Sequence, residues 1–289
     1  MRLEEKSNGL SLIGIDLGGT NIRAGKVSNG QIEKVASCLV PKTNNPDLVC
    51  AALIETIKQV NDPGVAGIGI GVPGLVENKT GLLYGLPNIP AFQDFNLGEA
   101  LNKAMNLPVY VNNDANCFAV GECFFGDGRN FDDFVGLITG TGLGAGIIYN
   151  RHLVSGQNCG AGEFGVLPYK DQNLEFYASG QFFLKEYGRD ASQMAMEARN
   201  GNPEAIAAFR EYGKNLGVVI KAIVACIDPS AIIIGGGLSR SFSLYKESMW
   251  EEVQNFDFSR SIKKITIIPT TMPEIAIRGA AALYLNAVT

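Results

Sequence analysis

A strand–turn–strand pattern that occurs twice limits this chain more than any other feature. Residues 13–27, Ile-Gly-Ile-Asp-Leu-Gly-Gly-Thr-Asn-Ile-Arg-Ala-Gly-Lys-Val, set two short apolar strands on either side of a tight turn at Gly18, Gly19 and Thr20. Glycine there permits positive φ and lets a ligand reach amides that no Cβ shields. Asp16 closes the first strand with a carboxylate at the same turn, a setting suited to a hydrated magnesium ion on a polyphosphate. A glycine cluster alone is more often an ordinary hairpin. Here the pattern returns at residues 135–149, where Gly140-Thr141-Gly142 falls in register with Gly18-Gly19-Thr20. Two such turns facing each other across a cleft would hold a phosphate chain from both sides.

A third glycine run, Gly235-Gly236-Gly237, follows the apolar stretch Ala231–Ile234 and precedes a helix predicted from near Ser239. A flat bend of that kind gives an adenine ring or ribose close contact with backbone. Ligands in open α/β sheets bind at the carboxyl ends of strands, where all three turns fall. Taken alone, a tight strand-to-helix connection explains the third run equally well.

Composition narrows the class. A chain of 289 residues with 46% hydrophobic content can form two α/β lobes with cores of their own. A net charge of −5 without a Lys/Arg-rich tract argues against a nucleic-acid partner. Residues 1–9 carry no apolar core, so no signal peptide is expected. The longest apolar run, Leu216–Ile227, contains Lys221 and is too short to span a bilayer, so no membrane partner is expected. The six cysteines are scattered without a C-x-x-C pair, which predicts reduced thiols in a cytoplasm.

The pattern predicts a strand meander over 13–40 and helices over 47–60 and 97–105. Strands are expected at 65–72 and 109–111, and residues 74–96, rich in Gly, Asn and Pro, read as a long connection. Beyond residue 113, helices are expected at 115–125, 176–187, 191–200, 203–227 and 240–254. Strands are expected there at 134–139, 145–149, 231–234 and 264–268. Strands interleaved with helices predict an α/β fold. Asp114 follows the 109–111 strand and opens the next helix, and locally it reads equally well as a helix cap or as a general base.

The ordered set Asp16-Leu-Gly18-Gly19-Thr20-Asn21-Ile-Arg23, Asn113-Asp114-Ala-Asn116, Gly140-Thr141-Gly142-Leu-Gly144, Gly160-Ala-Gly-Glu163-Phe-Gly165 and Gly235-Gly236-Gly237 resembles the ROK family of sugar kinases. The resemblance runs from about residue 13 to the C-terminus. It implies the two-lobed, actin-like ATPase (ribonuclease H-like) fold with a ligand cleft between the lobes. A small lobe over 1–112, joined by a C-terminal helix within 277–289, and a large lobe over 113–276 are expected. The implied reaction is ATP-dependent, magnesium-assisted phosphorylation of a hexose, foremost the 6-hydroxyl of glucose, by a cytoplasmic homodimer. N-Acylhexosamines and fructose are alternative substrates. A sugar-responsive repressor is disfavoured, because only a dozen residues precede the first hairpin, and a sensor would be expected to lose Asp114 or the turn glycines.

Under the resemblance Asp114 is the catalytic base, and Asn88, Asn113, Glu163 and Glu175 meet the sugar. The Asp16–Arg23 segment and the two later glycine turns hold ATP, and Asp16 holds magnesium through water. Many family members bind zinc through one His and three close Cys. This chain has a single His, His152, outside the matching segment, so no zinc site is expected and His152 reads as a loop residue. The family places a sugar-contacting His directly after the last Gly of the Gly-Glu-Phe-Gly pattern; here that position is Val166. An aliphatic side chain there removes a polar contact and leaves the sugar's identity open.

Overall fold

The computed structural model describes residues 9–86 and 88–288. They divide into two compact units. The first holds the described residues up to Asn130, Gly146–Ala161 and those from Thr271 onward; the second holds Phe131–Ala145 and Gly162–Thr270.

The first unit is built on β1 (Ser11–Leu17), β2 (Asn21–Ser28), β3 (Gln31–Leu39), β4 (Val65–Val72) and, after the short pair β5 (Leu82–Leu83) and β6 (Phe95–Asn96), β7 (Val109–Asn113). The sheet order is β3-β2-β1-β4-β7, with the β1–β3 meander antiparallel and β4 and β7 parallel to β1. Ile13, Ile15, Leu17, Ile22, Ile68, Ile70 and Val72 are fully buried on this frame. Helix α1 (Pro46–Val60) starts where Asn45 accepts a hydrogen bond from the Asp47 amide and Pro46 supplies a preset φ. Helices α2 (Leu97–Met105) and α3 (Asp114–Phe125) flank β7.

One row of glycines explains how the last helix of the chain, Ile275–Val288, lies on this sheet. Gly25, Gly14 and Gly69 stand side by side in register across β2, β1 and β4. A Cβ on Gly14 would sit 1.8 Å from the Ile277 carbonyl oxygen, and one on Gly69 1.8 Å from the Ala280 oxygen. The helix backbone therefore occupies the space that side chains would need. Its small residues serve the other side as well, where a Cβ on Gly279 would meet the Cys117 oxygen of α3 at 2.1 Å.

The second sheet comprises β8 (Phe134–Thr139), β9 (Leu143–Tyr149), β10 (His152–Val154), β13 (Ala231–Gly235) and β14 (Thr266–Pro269), in the order β10-β9-β8-β13-β14. Between them lie the small hairpin β11 (Pro168–Tyr169) and β12 (Gln172–Asn173) and helices α4 (Leu174–Ala178), α5 (Gly180–Tyr187), α6 (Ala191–Arg199) and α7 (Pro203–Ile227). Helices α8 (Phe242–Val253) and α9 (Ser259–Lys264) follow, which makes the C-terminal helix α10. Asn202 caps α7, and Asp228 ends it in the left-handed conformation just before Pro229. Phe183, Phe209, Tyr212 and Tyr245 form its buried aromatic neighbourhood.

The 74–96 connection carries the β5–β6 pair and is packed, burying Val76, Leu83, Leu86, Ile89 and Phe92. Two expectations change. The single helix expected over 176–187 is broken at Ser179, whose extended backbone separates α4 from α5. The break lets the Gly180 amide donate to the Gly140 oxygen at 2.6 Å, with no room for a Cβ there. His152 opens strand β10 instead of lying in a loop, and its Nδ1 stands 2.7 Å from the Asn150 oxygen.

Candidate active site

In the first unit the site residues gather at the carboxyl ends of β1 and β7. The hairpin turn closes through the Gly18 amide donating to the Asn21 oxygen at 3.0 Å. Neither Gly18 nor Gly19 adopts positive φ, which corrects the expectation drawn from the turn sequence. Gly19 is required for close approach instead: a Cβ there would lie 2.4 Å from the Asn88 Cβ. The turn assigned to phosphate and the Asn88 side chain assigned to the sugar rim are thus in contact, and both line a cavity of about 340 Å3.

Thr20 and Asn21 are exposed beyond that turn, and Arg23 is ion-paired with Glu274 at 2.5 Å. Asp16 is half-buried. Its proton affinity is raised mainly by burial; the Arg23 charge opposes this and the Glu274 charge adds to it.

Helix α3 begins at the end of β7, and Asn113 is its cap, with Oδ1 accepting from the Asn116 amide at 2.7 Å. Asp114 is therefore relieved of the capping role; it sits exposed in the first turn, with Oδ1 accepting from the Ala115 amide at 2.8 Å. Behind it a polar network fixes the strand end. Asn112 Oδ1 accepts from the Asn113 amide at 2.8 Å and from Asn116 Nδ2 at 2.9 Å. Asn116 Nδ2 also donates to the Cys159 oxygen at 3.3 Å, and Asn112 Nδ2 donates to Asn78 Oδ1 at 3.3 Å. Asn113 lies buried inside this network with its oxygen committed to the cap.

In the second unit the Gly140-Thr141-Gly142 turn closes through the Gly140 amide donating to the Gly142 oxygen at 3.0 Å. The strand leading into it is pinned by Thr139 Oγ1, which donates to the Ala178 oxygen at 2.8 Å and lies 2.8 Å from the Tyr212 hydroxyl. Gly140, Thr141 and Gly237 line one cavity of about 580 Å3, together with Gly180 and Arg240. Gly235 ends β13 in register with Ile138. Gly236 needs glycine on two counts: φ is +82°, and a Cβ would lie 2.3 Å from the Thr139 oxygen.

Glu175 stands in the first turn of α4. Its Oε2 accepts from the Leu143 amide at 3.0 Å and its Oε1 from Gln181 Nε2 at 3.0 Å. A Cβ on Gly142 would come within 2.8 Å of Oε2. Glu175 is thus anchored to β9 just beyond Gly142. Glu163 precedes the turn Phe164–Val166 and is exposed, while Gly162 and Gly165 on either side press against the Ala145 and Leu143 backbone oxygens. Partial burial, and secondarily the charge of Glu175, raises the proton affinity of Glu163. Val166 is 67% exposed. Gly144 lies within β9.

Sequence reasoning missed Gly180, Gln181, Arg199 and Arg240, all of which line the larger cavity. The Ser179-Gly180 pair was the available signal, since a cap residue followed by glycine interrupts a helical pattern.

Two five-stranded sheets share one strand order: a meander in reverse, then two further strands on the far side of its first strand. The fold is the two-lobed actin-like ATPase fold. The chain belongs to the ROK family, whose pattern matches residues 12–287. It is 29% identical to a glucokinase from Thermotoga maritima, across 95% of this chain and 97% of that one. It is 32% identical to an N-acetyl-D-glucosamine kinase from Pectobacterium atrosepticum, across 81% of this chain and 86% of that one. Among solved structures, a ROK family glucokinase from Streptomyces griseus in complex with glucose and AMPPNP superposes with a TM-score of 0.78 at 28% identity, covering 94% of this chain and 98% of that one. Among the described residues no helix is long and apolar enough to cross a membrane.

Proposed function

We propose that this protein is an ATP-dependent sugar kinase that phosphorylates the 6-hydroxyl of a hexose, glucose foremost, with Asp114 as general base. The observation that carries this reading is the division of labour at the start of α3. Asn113 is the residue that caps the helix, and the Asp114 carboxylate stands exposed beside it in the first turn. In the reaction the sugar O6 forms a bond to the γ-phosphorus as the bond to the ADP oxygen breaks, and the O6 proton passes to Asp114. The transition state is loose, so positioning and charge neutralisation outweigh nucleophile strength. Names of relatives, glucokinase and N-acetyl-D-glucosamine kinase, support a sugar as acceptor.

Asp16 suits a hydrated magnesium ion: it is a half-buried carboxylate that accepts no hydrogen bond among the described residues. When bound, the ion would neutralise phosphate charge. With the Gly18 and Gly140 amides closing their own turns, the Gly19, Thr20, Thr141 and Gly142 amides are the proposed phosphate donors, and the cavity beside Gly237 is the proposed seat of the nucleoside. An N-acylhexosamine is the second reading, favoured by the N-acetyl-D-glucosamine kinase among the relatives.

A coupled ADP-release assay over glucose, mannose, fructose, N-acetylglucosamine and N-acetylmannosamine tests the substrate. Asp114→Asn is expected to lower kcat on the best of them by about 10²–10⁴-fold with sugar binding retained, the span of a lost general base. Turnover near that of the wild type would place the base elsewhere.

A further inference from the structure

Phosphoryl transfer develops negative charge that fixed cations stabilise. On the β1–β3 meander of the first unit the cations nearest the Gly18–Thr20 turn in sequence are already engaged. Arg23 is paired with Glu274 at 2.5 Å, and Lys26 with Glu33 at 2.9 Å and Asp62 at 2.5 Å. Lys42, in the loop between β3 and α1, has no ion-pair partner among the described residues.

A lysine on a loop is ordinary; its setting here is not. Lys42 lines the same cavity of about 340 Å3 as Gly19 and Asn88. Its loop is tied to the turn itself, because the Val40 amide donates to the Thr20 oxygen at 2.9 Å. On the other side the Thr43 amide donates to the Pro41 oxygen at 3.0 Å, and the Asn45 amide to Thr43 Oγ1 at 3.0 Å, which leads straight into the capped start of α1. The backbone that carries this ammonium is therefore held at both ends. A lysine without an ion-pair partner among the described residues, a glycine and an asparagine lining one cavity make a receptor for a phosphoryl oxygen.

We propose that Lys42 binds the phosphoryl group in transit, holding its oxygens against the Gly19 turn while the bond to ADP breaks and the bond to the sugar O6 forms. Lys42 keeps its protons throughout; the O6 proton goes to Asp114. The proposal rests on the kinase reading above, so its test includes a measurement that does not need turnover. Inorganic pyrophosphate is titrated calorimetrically into wild type, Lys42→Met and Lys42→Arg. Turnover on the best sugar is measured in parallel.

Lys42→Met is expected to weaken pyrophosphate at least about tenfold and to lower kcat by about 10–10³-fold, the scale of a lost charge-stabilising donor. The sugar KM should stay within about threefold, and Lys42→Arg should restore most of both losses because it keeps the charge. Unchanged pyrophosphate affinity in Lys42→Met overturns the proposal, and so does full turnover in that variant. A wild type inert on every sugar defeats the kinase reading instead, and the pyrophosphate titration still decides the role of Lys42.

Discussion

Gly142→Ala separates two views of the turn proposed to hold phosphate in the second unit. If the glycine serves only the nucleotide, an added methyl should harm ATP binding and nothing else. The structure places a further neighbour there, because the new Cβ would lie 2.8 Å from Glu175 Oε2 and 3.5 Å from Glu175 Cδ. Carbon and oxygen settle at about 3.3 Å or more, so the carboxylate must retreat by roughly 0.5 Å. Oε2 already accepts from the Leu143 amide at 3.0 Å, and Oε1 from Gln181 Nε2 at 3.0 Å. A retreat of that size takes the first bond past the useful range of about 3.2 Å.

Leu143 is buried, so losing the acceptor for its amide costs about 1–3 kcal/mol. Felt at the sugar site, that is a loss of roughly 5–150-fold in affinity. The assay is calorimetric titration of the sugar and of a non-hydrolysable ATP analogue, each alone. Gly140→Ala is the control: its Cβ would meet only the Gly237 amide nitrogen, at 3.7 Å, so nothing need move. That variant should keep sugar affinity within about twofold, since no named contact of the sugar site shifts. Sugar affinity unchanged in Gly142→Ala, with ATP alone weakened, would refute the link between Glu175 and the sugar.

Two further outcomes follow from geometry and charge. Gly14→Ala would press a methyl 1.8 Å from the Ile277 oxygen, so helix α10 must lift from the sheet; a cost of at least about 1–3 kcal/mol is expected, lowering Tm by about 2 °C per kcal/mol in a scanning measurement. For Glu163, whose folded-state proton affinity is raised, the ionised form is the disfavoured one, so its contribution to stability is best at acid pH and lost as pH rises through the raised pKa. Glu163→Gln should accordingly hold or raise Tm at pH 7, with the difference from wild type shrinking on acidification below about pH 4; a Tm lowered at pH 7 would contradict this.

The alternating apolar strands around Gly18 and Gly140, and α7 from Pro203 to Ile227, were legible in the sequence because periodicity and punctuation agree there. The packed segment around Leu83, Ile89 and Phe92 was not, since its buried residues follow neither helical nor strand spacing and lie among Gly, Pro and Asn. Of the two roles read for the first glycine turn, positive φ is absent at Gly18 and Gly19. A residue without Cβ looks the same in sequence whether it serves positive φ, as at Gly236, or a close neighbour, as at Gly19. Lys42 carried no motif at all, because its place beside Gly19 and Asn88 arises from segments that meet only in three dimensions.

The two glutamates of the second unit illustrate what geometry adds to a motif. The family resemblance makes both Glu163 and Glu175 sugar-binding candidates, although Glu175 taken alone reads as a solvated carboxylate. In the structure both oxygens of Glu175 are held by protein donors, one on β9 and one at the start of α5. Glu163 accepts no hydrogen bond among the described residues, and burial together with the Glu175 charge disfavours its ionised form. A ligand hydroxyl donating to Glu163 would supply the missing partner and draw its proton affinity down again. Glu163 is therefore the carboxylate with lone pairs to offer. Glu175 is the brace that ties the Gly142 turn to the break at Ser179, so a substitution on either side of that brace is expected to disturb both ligands together.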